Sequence, residues 1–110
     1  MFSINNNNIT LTRGDSFVAD LTIYNPDGTE FTPEEGDIIT FAVKRTAFSY
    51  KPIIEKIIDI SEMKVELFPS ETRWLGFNTY LYDINIQRDA HIDTFISGTL
   101  KITEEVHSRG

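Results

Sequence analysis

A chain of 110 residues suffices for one domain, and its 40% hydrophobic content, with eight Phe and four Tyr, can supply a core. The absence of cysteine excludes disulfides and thiolate metal sites, so stability must come from packing. The formal charge of −7 argues against nucleic-acid binding, which depends on Lys and Arg contacts to phosphates. No apolar run approaches the ~20 residues of a membrane span, and no signal peptide is predicted.

Short strands separated by turns are predicted for the first half of the chain. Residues 1–8 include a run of asparagines without apolar patterning and are predicted as a flexible lead-in. Strands follow at 9–12 and 17–23, where apolar and polar residues alternate. The sequence Asn25-Pro26-Asp27-Gly28 predicts a tight turn, because proline presets φ and glycine accepts a positive φ. A third strand is predicted at 39–43.

Residues 52–60 fit either a helix or a strand. Four of the isoleucines recur with helical spacing, and Pro52 could occupy the first position of a helix. Five isoleucines in nine residues favour a strand, because β-branched side chains lose rotamer freedom in a helix and pack well on a pleated sheet. We predict a strand.

The end of the chain carries the clearest strand pattern. A strand at 63–67 is followed by one helical turn at 69–75, which Ser70 can cap. Apolar residues then take mostly even positions of 80–86 and 96–102. This period of two places them on one face of an antiparallel hairpin that lies on a core.

The predicted elements add up to an all-β fold. About seven short strands at roughly 8–12-residue spacing, with at most one helical turn, indicate an immunoglobulin-like antiparallel β-sandwich. The sandwich domain is predicted over 9–106, between the lead-in at 1–8 and a polar tail at 107–110.

No residue pattern indicates catalysis or metal binding. Arg13-Gly14-Asp15 matches an integrin-recognition tripeptide, but between two strands it is better interpreted as a strand break. The acidic stretch at 30–37 lacks the spacing of a calcium loop, and His91 and His107 have no second histidine or cysteine at ligand spacing. No nucleophile elbow or glycine-rich phosphate loop is present. We therefore predict no enzymatic activity, no cofactor and no catalytic, cofactor-binding or metal-binding residue.

Exposed apolar side chains suggest a docking surface instead. Trp74, Phe77 and Tyr80 form the densest aromatic cluster, which could stack on a sugar ring. Alternatively, and in our preferred interpretation, Trp74 and Leu75 cap the open end of the sandwich. Other apolar residues fall on the parity opposite the core, and a large apolar patch usually meets a partner. The candidate interaction surface comprises Val18, Ile38, Leu81, Phe95, Trp74 and Phe77.

The order of these segments resembles a known family of phage proteins. The resemblance rests on Ile9-Thr10-Leu11-Thr12-Arg13-Gly14-Asp15-Ser16, on Tyr24-Asn25-Pro26-Asp27-Gly28-Thr29 leading to Ile39-Thr40-Phe41-Ala42-Val43-Lys44, on Tyr80-Leu81-Tyr82-Asp83-Ile84 and on Ser97-Gly98-Thr99-Leu100-Lys101-Ile102. From about Ile9 to Val106 the chain is similar to the N-terminal domain of the baseplate upper protein family, found in phages and prophages of Gram-positive bacteria.

The resemblance implies a structural role in a virion. A protein of this kind is assembled in the host cytoplasm and then becomes part of the tail or baseplate, often within a symmetric homo-oligomer. Its partners would be other tail or baseplate proteins, and the family has no catalytic motif to transfer. The alternative suggested by the aromatic cluster is a carbohydrate-binding or adhesive module that uses Trp74 and Phe77.

Overall fold

The computed structural model describes residues 2–46 and 48–104, and over these ranges the chain is mostly β. The elements are β1 (Phe2–Asn5), β2 (Asn8–Thr12), β3 (Phe17–Asp20), β4 (Ile38–Lys44), β5 (Ile54–Ile58), β6 (Lys64–Leu67), α1 (Pro69–Thr72), β7 (Thr79–Arg88) and β8 (His91–Thr103). The all-β class with a single helical turn is confirmed, and the finer immunoglobulin-like assignment stays a prediction. With four residues in the helix, no helix of the described ranges could cross a membrane.

The strands form two sheets of unequal size. The larger sheet has the order β1-β2-β8-β7-β4-β5, and the smaller one pairs β3 with β6. Every pair is antiparallel, as predicted, except that β2 runs parallel to β8, with Ile9 beside Leu100 and Leu11 beside Ile102. This parallel pair joins strands near the two ends of the chain, a contact that no local pattern indicates.

One hydrophobic core lies between the sheets. The smaller sheet contributes Phe17 and Leu67, and the larger one contributes Leu11, Phe41 and Tyr82 among others. The rings of Phe41 and Tyr82 have centroids 5.3 Å apart. Burial alternates along the strands, so each sheet turns one apolar face to the other and its polar face outwards.

The final hairpin confirms the period-two pattern of the sequence, with one exception. Even-numbered residues of β7 from Tyr80 to Ile86 are buried, as are Leu100 and Ile102 on β8. The exception is Phe95, because Ile84 pairs with Ile96 while Asn85 pairs with Thr94. Phe95 is therefore the extra residue of a β-bulge, which re-aims its side chain.

The predicted flexible lead-in is wrong for most of its length. Phe2–Asn5 forms β1 and pairs with β2, and the asparagines supply the connecting turn, in which Asn6 has φ of 52°. Asparagine tolerates this left-handed conformation better than most residues. The predicted polar tail at 107–110 and the last two residues of the predicted domain, 105–106, lie outside the described residues.

Most predictions for the middle of the chain are confirmed. Residues 54–58 form strand β5, so the β-branched chemistry decides the ambiguous stretch. The turn at 25–28 is present, and the Gly28 amide donates to the Asn25 carbonyl at 2.9 Å. The predicted strand at 17–23 ends earlier, at Asp20, although Ile23 is still buried.

The helical turn is present but is capped differently from the prediction. Phe68, not Ser70, occupies the N-cap position, and the Glu71 carboxylate accepts the Phe68 amide at 2.9 Å. Glu71 also accepts from Lys56 Nζ at 2.9 Å, which ties the turn to β5. Leu75 plugs the core as predicted, whereas Trp74 is 81% exposed, so our interpretation of Trp74 as a cap is wrong.

Candidate interaction surface

The three most exposed aromatic side chains of the described residues lie at one end of the sandwich. This end is formed where β4 stops, where β5 starts and where the segment after α1 approaches β7. A groove there is lined by Arg45, Ile53, Trp74 and Leu75, so the β4–β5 loop and the segment after α1 lie on either side of it.

Two of these aromatic residues lie in the β4–β5 loop and are exposed to solvent. Phe48 is 93% exposed and Tyr50 is fully exposed. The Thr46 amide donates to Ser49 Oγ at 3.2 Å, and the Ser49 amide donates back to the Thr46 carbonyl at 3.2 Å. Polar contacts therefore shape the turn, and the two rings contribute nothing to the core. Residue 47 of this loop lies outside the described residues.

The β4–β5 loop is basic in a chain whose net charge is −7, although Glu55 and Glu71 line the adjoining groove. Lys44, Arg45 and Lys51 lie in the loop or at its edge, and no acidic residue occurs between Asp37 and Glu55. Aromatic residues and arginine are the side chains most enriched in protein interfaces. We call this surface the aromatic end, and it consists of Arg45, Phe48, Tyr50, Lys51 and Trp74.

The predicted aromatic cluster does not form a joint platform. Tyr80 is buried, and its hydroxyl donates to the Gly76 carbonyl at 3.0 Å. Phe77 is half-exposed, but the Arg13 guanidinium lies 4.4 Å from its ring centroid. Trp74 instead borders the groove with Arg45. Arg13 therefore covers one face of Phe77, and Trp74 is the freely accessible ring of the three.

The other predicted surface residues do not form one patch. Ile38 and Leu81 are both exposed on the outer face of the larger sheet, but the register places Ile38 beside Gln87 and Leu81 beside Lys44. Because each strand residue advances about 3.3 Å, they are separated by about 20 Å along the strands. Val18 lies elsewhere, in a groove between β5 and β6.

Phe95 was predicted to belong to the interaction surface, but its side chain is half-buried. Its ring packs edge-to-face against Phe31, with centroids 5.3 Å apart, and it is half-buried against the core. The parity rule assigned it to the outer face, and the bulge between Ile84 and Asn85 is the physical reason for the difference.

The opposite end of the sandwich is acidic. Glu34, Glu35, Asp37 and Asp89 surround one shallow pocket with Arg88, and we call these four carboxylates the acidic end. Arg88 binds Asp37 with two hydrogen bonds, Nε to Oδ1 at 2.8 Å and Nη2 to Oδ2 at 2.6 Å. This hydrogen bonding, together with the Glu34 amide at 2.8 Å, lowers the pKa of Asp37 from 3.8 to about 2.

The described residues contain no metal-binding cluster, that is, no group of three or more histidine or carboxylate side chains placed to hold a metal ion. A crevice of about 150 Å³ between the sheets is lined mainly by apolar residues such as Phe17 and Phe41, and Asp20 is its one carboxylate.

Sequence reasoning missed Phe48 and Tyr50. The signal was present, because Lys44-Arg45 and Lys51 enclose a stretch with two aromatic residues and no acid, between two predicted strands. A connection between strands lies on the surface, so aromatic residues at its tip are exposed unless the loop folds back.

Comparison of the chain with protein-family models, curated proteins and solved structures gave no significant match.

Proposed function

We propose that this protein is a non-enzymatic structural component of a phage or prophage particle, in the tail or baseplate, that works through protein–protein contacts. The family resemblance supports the setting, and the aromatic end supports the mode of action. Phe48, Tyr50 and Trp74 are each more than four-fifths exposed.

The size of the exposed aromatic surface carries the proposal. Covered aromatic side chains bury about 150–250 Å² each, so these three could bury about 450 Å² or more. Each partner contributes roughly 800 Å² to a standard protein interface, so three side chains would supply about half of one side. Interface hot spots are rich in Trp, Tyr and Arg. A concentration of exposed aromatic rings is therefore typical of a protein-docking surface.

The experiment is a deletion and complementation test in the phage or prophage that encodes the chain. We expect peptide mass spectrometry to find the chain in purified particles, and we expect the deletion to give particles without a functional tail tip. Wild-type protein should restore infectivity, and the Tyr50→Ala/Trp74→Ala variant should not. Ile57→Ala is the matched control, because Ile57 is also exposed but lies on β5, away from the aromatic end. Particles that lack the chain, or that infect normally without it, would refute the proposal.

The exposure of Trp74 also favours a second function, a carbohydrate-binding or adhesive module. Since Trp74 is the only tryptophan, its fluorescence reports directly on this surface. A sugar stacked on the indole would shift the emission to shorter wavelength and protect it from acrylamide. Phe77 could offer a sugar only one face of its ring, because Arg13 covers the other. Tryptophan emission that is unchanged across a panel of cell-wall glycans would refute this alternative.

A further inference from the structure

The aromatic end and the acidic end lie at opposite ends of the same strands. β4 begins directly after Asp37 and ends directly before Arg45. β7 runs antiparallel to β4, so the turn that contains Asp89 lies at the acidic end and the segment that contains Trp74 lies at the aromatic end. Seven residues of β4 separate the two surfaces by about 20 Å.

We propose that the aromatic end of one copy docks on the acidic end of the next copy, so that the chain associates head to tail. This inference rests on the proposed function, because it names a second copy as one partner of the surface on which that function depends. Arg45 and Lys51 are the cations that would face the carboxylates of the neighbour, and Tyr50 and Trp74 would supply the covered area.

The acidic end offers apolar groups as well as charge. Ile38 and Ile92 are both exposed there, and the register places each of them beside Gln87 on the outer face of the larger sheet. Directly opposed residues of neighbouring strands point to the same face. An incoming ring could therefore rest on the two isoleucines while Arg45 or Lys51 reaches Glu35.

The partner is argued from complementary charge. A chain of charge −7 repels its own copies at long range, but screening limits exposed charges to about 8 Å at physiological ionic strength. Within that distance the local surfaces decide. Arg45 and Lys51 lie at the aromatic end, where Glu55 is also near and Glu71 is already paired with Lys56. At the other end Arg88 pairs with Glu34 and Asp37, which leaves Glu35 and Asp89 as the carboxylates that would meet a cation. Side-by-side or two-fold contacts between like ends would juxtapose like charges.

Head-to-tail contact has a distinctive consequence for assembly size. Each association leaves one aromatic end and one acidic end free, so growth continues until a ring closes or a filament forms. A two-fold dimer, in contrast, uses the same surface twice and stops at two copies. The size distribution therefore separates the two modes.

The first measurement is sedimentation velocity of the full chain over a range of protein and salt concentrations. We expect species larger than a dimer, with an association constant that falls at least about 10-fold between about 50 mM and 500 mM salt. A chain that remains monomeric up to about 1 mM would overturn the inference. A species that stops at two copies would also overturn it.

The second measurement uses two variants that each lose one end. Tyr50→Ala/Trp74→Ala removes two exposed rings, and we expect the dissociation constant to rise on the order of 30-fold or more. Glu35→Lys/Asp89→Asn alters the acidic end and leaves the Asp37–Arg88 pair intact. Asn is chosen at position 89 because Asp89 has φ of 54°, which asparagine tolerates.

Mixing the variants gives the decisive result. Alone, each should be monomeric, but the intact aromatic end of one fits the intact acidic end of the other, so the mixture should form a 1:1 heterodimer and nothing larger. Ile57→Ala should associate like wild type, and all variants should keep the strand signal of wild type in far-ultraviolet circular dichroism. A mixture that stays monomeric would overturn the inference.

These outcomes are separable from those of the proposed function. A monomeric chain that still appears in particles, and still needs Tyr50 and Trp74 there, would refute self-docking while it leaves a different virion protein as the partner. A self-associating chain that is absent from particles would refute the virion role and leave the contact between copies in place.

Discussion

Gly98→Ala tests whether the turn between β1 and β2 is packed against the final hairpin. Gly98 lies beside Tyr82 in the β7–β8 register. A Cβ atom at position 98 would overlap the carbonyl group of Asn7 and would lie 2.9 Å from Tyr82 Cε2. The Tyr82 hydroxyl donates to the Asn7 carbonyl oxygen at 2.7 Å, and burial raises the pKa of this hydroxyl, so it stays a donor.

The expected cost of Gly98→Ala combines two effects. Overpacking against backbone costs about 1–3 kcal/mol, because the turn must move away from β8. That movement breaks the Tyr82–Asn7 hydrogen bond, which costs about a further 0.5–1.5 kcal/mol. We therefore expect the free energy of unfolding to fall by about 1.5–4.5 kcal/mol, a large fraction of the roughly 5–15 kcal/mol typical of a domain.

Urea unfolding of the wild type and four variants measures this effect. Tyr82→Phe alone should cost about 0.5–1.5 kcal/mol, because it removes only the hydrogen bond. If Gly98→Ala already breaks that bond, the double variant should be about as stable as Gly98→Ala, so the two costs would not add. Gly76→Ala is the control, since its Cβ would meet Tyr80 Oη at an ordinary 3.7 Å. A loss below about 0.5 kcal/mol for Gly98→Ala would refute the packing described for this turn.

Three further predictions concern the acidic end, the core and the turn at 25–28. The lowered pKa of Asp37 means that its contribution to stability is complete above about pH 4 and is lost as the pH falls from 3.8 to about 2. Asp37→Asn should therefore make the urea midpoint fall less steeply over that pH range, and an unchanged slope would contradict the ion pair. Phe41→Ala should cost about 3–5 kcal/mol, measured by urea unfolding, because the ring is fully buried between the sheets. Gly28→Ala should lower the free energy of unfolding by about 1–2 kcal/mol through strain at φ of 92°, with Gly28→Asn nearer to wild type in the same assay.

The strand positions could be predicted because their signal is local. Alternation of apolar and polar residues assigned the inward face of β7 and of the end of β8 correctly, and the isoleucine-rich stretch was correctly predicted as β5. The prediction of a flexible lead-in failed because its local signal is misleading. β1 is a short edge strand, and the asparagine turn that follows it resembles an unstructured segment in sequence. Alternation also cannot foresee an extra residue, and this is why Phe95 was misplaced.

The candidate site was only partly predictable. Trp74 was singled out for its chemistry, but its exposure depends on how the segment after α1 meets the β4–β5 loop. Phe48 and Tyr50 were visible as aromatic residues in a basic loop, yet only the folded chain shows that the loop does not turn them onto the core.

The sequence alone determined that this chain folds into β-strands that each have one apolar face. In a strand, the direction of a side chain depends on whether its position is odd or even. Only the tertiary structure decided that β2 lies parallel to β8, and that Arg45 and Asp89 occupy opposite ends of the molecule. These arrangements depend on contacts between residues far apart in the chain, and such contacts are selected by the packing of whole sheets rather than by neighbouring residues.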